Sequence, residues 1–154
     1  MSKTRELKEA LKRALSQKEF QPSHIDPLLE DPDTLVGPLF SFLPQTEKFL
    51  RWHAITSLGL VVEEISKRDL EGARVILRKL MWNLNDESGG IGWGCAEAMG
   101  EILSRVRPLA MEFSTILVSY IHEEENFLEQ IPLIEGALWG IARASQTNPD
   151  TLKR

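Results

Sequence analysis

The sequence predicts an all-α fold of stacked helix pairs, and three observations carry that expectation. Apolar residues recur at helical spacing through nearly the whole chain, with charged residues filling the positions between. No segment sustains a period-two alternation, so no strand of consequence is expected. Three short segments align on a glycine, at Gly59, Gly100 and Gly140, 41 and 40 residues apart.

The elements follow in order. Leu7, Leu11, Ala14 and Leu15 lie on one helical face among lysines and arginines, giving an N-terminal capping helix over 4–17. Pro22, Pro27 and Pro32 confine the next stretch to short helices or turns. Thr34 to Leu43 is apolar and stops at Pro44. A helical pattern then runs to Lys67, with Thr46 the expected N-cap. Asp69 caps a helix carrying Ile76, Leu77, Leu80 and Leu84, which ends in the turn from Asn85 to Gly90. Further helices are expected over Ile91–Ser104, from Pro108 to His122, and from Leu128 to Ser145, with Asn148-Pro149-Asp150 as a turn or final cap.

A length of 154 residues fits a single domain, 1–154, with a real core. The net charge of −5 argues against a nucleic-acid partner, which normally needs a basic face. The longest apolar run, Leu58 to Val62, is far too short to span a bilayer, and the N-terminus is charged where a leader would be apolar. One cysteine forbids an internal disulfide framework, and a cytoplasmic location is expected.

The glycine alignment has a physical reading. Large apolar residues stand seven positions before the glycines (Trp52, Trp93, Leu133) and one before (Leu58, Met99, Trp139), with small residues such as Ala54, Cys95, Ala96, Gly136 and Ala137 between them. A mid-helix glycine costs about 1 kcal/mol against alanine. Three at one register imply a neighbouring helix packed close on the small-residue face. A helix pair of this size cannot bury its apolar stripe alone, so pairs must stack.

The stretch from Asp86 to Ile102, with its acidic turn, alanines and Met99-Gly100 followed by an aliphatic, resembles a HEAT-like repeat of the PBS-lyase type, within the armadillo-like α-solenoids. The first copy keeps Leu50-Arg51 and Leu58-Gly59; the second has Gly92 where arginine is usual, and the third has Ile131-Pro132 there. The resemblance implies a right-handed α-α superhelix of three to four helix pairs, with repeats near 26–67, 68–105 and 106–146.

Candidate chemistry is sparse. The segment from Trp82 to Gly94 combines Asn83, Asn85, Asp86, Glu87, four glycines and two tryptophans. It reads as an inter-helix turn first and as a contact site second. It is not a nucleotide loop, because Cys95-Ala96 stands where lysine and a hydroxyl residue are needed. No His-Glu-x-x-His, metal-spaced Cys/His set or nucleophile elbow is present, so no metal or cofactor is expected. Cys95 is expected to be a buried, inert thiol, and His53 a surface or groove residue. Glu97 and Glu101 lie one turn apart and share a face, where exposed helix glutamates are the ordinary expectation. Trp52, Trp93 and Trp139 are expected first as packing residues and second as an interaction stripe.

The resulting expectation is a non-catalytic protein-interaction or scaffold module. Its candidate contacts are Arg51, Trp52, His53, Asn85, Asp86, Glu87, Trp93, Glu97, Glu101 and Trp139. The alternative that the resemblance implies is a ligand-binding or enzymatic HEAT-like protein, either like the tetrapyrrole-attachment lyases or like the DNA-alkylation glycosylases. A protein partner of unspecified identity is expected, with no membrane or nucleic acid, and a homodimer is a further expectation.

Overall fold

The computed structural model describes residues 2–85 and 90–153, which form seven α-helices and three 3-10 segments, with no strand among them. The expectations for Asp86, Glu87, Ser88 and Gly89 fall outside these residues. Helix α1 (Lys3–Leu15) starts where the Ser2 hydroxyl accepts the Arg5 N–H, and it buries Leu11 and Leu15. The 3-10 segment Pro22–Glu30 follows, then α2 (Asp33–Phe42), which buries Leu35, Leu39 and Phe42 on one stripe.

Helix α3 (Lys48–Ser66) is capped by Glu47, not by Thr46. The Glu47 carboxylate accepts from Phe49 N–H at 3.1 Å and Leu50 N–H at 2.7 Å. A carboxylate at that place also opposes the positive end of the helix dipole, which a threonine hydroxyl would not do. Helix α4 (Leu70–Asn85) begins as expected on Asp69, whose Oδ1 accepts the Gly72 N–H at 2.9 Å.

The next helix starts later than its sequence suggests. Gly90–Gly92 is a single 3-10 turn, and α5 spans Cys95–Arg105. Gly94 causes the break: its φ is +80°, and a Cβ there would stand 2.8 Å from the Leu43 carbonyl oxygen. Only glycine meets both constraints without strain. Val106, in extended conformation, separates α5 from α6 (Arg107–Ser119), which ends three residues short of His122. Helix α7 (Ile131–Ser145) starts at the Pro132 boundary and not at Leu128, whose N–H is bonded to the Tyr120 carbonyl. A last 3-10 turn, Pro149–Leu152, closes against α6 and α7.

Helix α5 is the centre of the molecule. It packs between α3 and α7 on two sides and touches its sequence neighbours α4 and α6 on others. Every residue from Cys95 to Ser104 is buried. Helix α3 in turn packs on α2 and α4, and α1 lies against α2 and α3. The row α3, α5, α7 is thus one continuous layer, and it holds the three aligned glycines.

Those glycines do different jobs. Gly100 and Gly140 bring α5 and α7 into backbone contact: a Cβ on either would strike the partner helix, at the Gly140 backbone in one case and the Ala96 carbonyl in the other. At Gly59 the obstruction is not backbone. A Cβ there would meet Glu101 Cγ at 2.5 Å and the Arg105 side chain at 3.1 Å. Gly59 therefore makes room for an ion pair.

Candidate functional site

The layer of α3, α5 and α7 carries two glutamates on its central helix, and both are buried: Glu97 is 4 % exposed and Glu101 3 % exposed. This corrects the expectation of solvated helix glutamates. Burying a carboxylate is costly unless it is paired, and arginines from all three helices supply the pairing. Arg51 Nη2 of α3 donates to Glu97 Oε2 at 2.5 Å. Arg143 Nε of α7 donates to Glu101 Oε2 at 2.6 Å, and Arg105 Nη2 to Glu101 Oε1 at 3.2 Å. Arg105 also reaches Glu63 at 3.5 Å.

Space for Glu97 comes from Gly136 of α7, where a Cβ would collide with its carboxylate. Burial raises the Glu97 carboxyl above its ordinary value, and the Arg51 charge offsets part of that rise.

Glu97 forms the floor of a cleft of about 260 Å³ lined by Arg51, Trp52, Glu97, Pro132, Glu135, Gly136 and Trp139. Although α5 lies between their helices, the indoles of Trp52 and Trp139 meet with centroids 4.8 Å apart and planes tilted by 56°. Trp139 is 37 % exposed. The Arg51 guanidinium stands 5.8 Å from the Trp52 ring centroid. Glu135 lies one turn before Trp139 on α7, is exposed, and has no ion-pair partner among the described residues.

The structure therefore gathers Arg51, Trp52, Glu97 and Trp139 from three helices into one place. Glu101 shares their layer but is closed off from solvent by Arg105, Arg143 and the Gly59 seat. His53 faces the other way: its Nδ1–H donates to the Leu15 carbonyl at 2.7 Å, and its ring lies against Phe20 and Phe49. It ties α3 to the end of α1. Trp93 precedes α5 and is half-buried against the core, with its indole N–H enclosed and without an acceptor among the described residues. Asn85, at the end of α4, borders a separate hollow of about 330 Å³ with Asn126–Gln130. Asp86 and Glu87 lie outside the described residues.

Sequence reasoning did not pick out Arg105 and Arg143. A signal existed: both follow an aligned glycine on their own helix, Arg105 by five positions and Arg143 by three, so each lies just C-terminal to the close contact.

The titratable groups at the cleft floor are engaged or enclosed. Its buried carboxylate is already bonded to Arg51. Cys95 is fully buried two residues away, and burial pushes its thiol up to about 12. No group of three or more His, Cys, Asp or Glu residues suited to a metal occurs among the described residues. None of their helices is long and apolar enough to cross a membrane. No protein-family model, curated protein or solved structure matches the chain.

Proposed function

We propose that the chain is a non-catalytic interaction module, a right-handed α-solenoid of three HEAT-like helix pairs, α2–α3, α4–α5 and α6–α7, with α1 as its cap. In support of this reading, each of these helix pairs falls inside one of the expected units 26–67, 68–105 and 106–146, and its second helix packs in the row α3, α5, α7. Such layers offer extended surfaces for docking. One observation carries the functional reading: the half-open Trp52–Trp139 pair sits in a cleft whose walls come from all three second helices. Tryptophan and arginine anchors held in a pocket are what binding hot spots favour. The pairing of the buried Glu97 carboxylate with Arg51 on the cleft floor supports positioning and not turnover. The single buried cysteine fits a reducing, cytoplasmic setting.

The test is selection of displayed random peptides on the immobilised full chain, with the doubly substituted Trp52→Ala, Trp139→Ala chain as counter-selection. Enrichment of peptides that bind the wild type and lose at least about tenfold in affinity on the double variant, the size of one hot-spot loss, is the expected result. Peptides that bind both chains equally, or no enrichment at all, would overturn the reading.

A further inference from the structure

We infer that the cleft between α3, α5 and α7 receives an arginine side chain of the partner polypeptide, its guanidinium on the Trp139 indole and its charge on the Glu135 carboxylate. This rests on the cleft being the docking surface proposed above. Three observations select a cation as the guest. First, the charges lining the cleft are unbalanced: Arg51 is matched by Glu97, which leaves Glu135 exposed and unpaired among the described residues. Second, the opposite guest is refused. Arg51 Nη2 is engaged by Glu97, so an incoming anion would compete with that ion pair and meet two carboxylates, Glu97 and Glu135.

Third, the tryptophan pair already shows which guest its faces take. Trp52 carries the Arg51 guanidinium at 5.8 Å, whereas among the described residues no cation stands over Trp139. Glu135 and Trp139 are one helical turn apart on the same face of α7, so one planar side chain can stack on the ring and hydrogen-bond the carboxylate together. A guanidinium suits that geometry better than an ammonium. It is flat, weakly hydrated and presents donors in a fork. The cleft, at about 260 Å³, admits it together with its aliphatic stem.

The experiment is a titration of the ¹⁵N-labelled full chain with N-acetyl-arginine amide, followed at the indole N–H signals of its four tryptophans. N-acetyl-citrulline amide is the neutral isostere, and N-acetyl-glutamate amide is the anionic probe. Trp82, 74 % exposed on α4, is the internal control for non-specific stacking. The expected result is saturable movement of the Trp52 and Trp139 signals with the arginine probe only, Trp82 staying still. Glu135→Gln, a change at an exposed position, should weaken that binding by about threefold to fivefold, as for the loss of an exposed ion pair. Equal shifts with citrulline, larger shifts with the glutamate probe, or indifference to Glu135→Gln would each overturn the inference. Trp-dependent peptides from the selection that contain no arginine would also overturn it, while leaving the interaction reading standing.

Discussion

At the scale of single residues, burial decides what each polar side chain can do. Glu97 and Glu101 belong to the residue types most often solvated, yet they are held in the central helix because arginines on both neighbouring helices reach them. Cys95 is the opposite case, a thiol with nothing to activate it. Its ordinary value of 9.0 is pushed up to about 12 by burial, with a smaller contribution from the Glu97 charge. A thiol so placed is neither a thiolate nor accessible. Cys95 should therefore fail to react with a disulfide reagent at pH 7.5 in the native chain and react at once in denaturant. Rapid labelling of the folded protein would show the site to be open. The burial of Cys95 was legible in the sequence from its small-residue slot. The burial of the glutamates was not, because it depends on Arg51 and Arg143, which lie 46 and 42 residues away; the local Arg105–Glu101 pair alone is equally at home on an exposed helix.

At the scale of elements, most helices followed from local signals, such as Asp69 as a cap and the prolines confining 22–30 to a tight helix, while the last helix starts at the Pro132 boundary and not at the expected Leu128. The departures have local causes as well. Glu47 outcompetes Thr46 because a carboxylate reaches two N–H groups at once, and Gly94 delays α5 because its positive φ interrupts the helix. What the glycine alignment meant needed a partner to be seen. Gly100 meets the Gly140 backbone, so alanine at 100 has no flexible neighbour to push aside. Gly100→Ala should lower Tm by about 3–8 °C despite alanine's better helix propensity, the consequence of overpacking by about 1–3 kcal/mol. A rise in Tm on differential scanning calorimetry would mean that α5 and α7 are not in backbone contact.

At the scale of the whole molecule, the two kinds of ion pair respond to pH with opposite sign. At the periphery, Arg107 holds Asp150 below the usual carboxylate range, and Arg74 does the same to Glu112. Their folded values lie below their unfolded values, so their contribution is present above the ordinary carboxylate range and is lost as pH falls through the folded value. Glu97 is reversed. Burial places its folded value above the ordinary 4.5, so the folded chain binds its proton more tightly than the unfolded chain does. Its contribution is present below 4.5 and is lost as pH rises through the folded value. Relative to wild type, Glu97→Gln should therefore gain stability as pH is raised from 4.5 toward neutrality. Urea midpoints for the two chains across that range provide the measure. Curves that stay parallel would show that Arg51 fully compensates the burial.

Helical periodicity, capping residues and the glycine spacing settle, from sequence alone, that this chain is all-α and where most of its helices lie, because these are short-range properties set by φ/ψ preference and by which face is apolar. Only the tertiary structure decided which face of each helix meets another. It turned two ordinary glutamates into buried ion pairs, sent His53 toward α1, and brought Trp52 and Trp139 together from helices 87 positions apart in the chain. That selection depends on packing distances of a few ångströms between distant segments, which no local window of residues encodes.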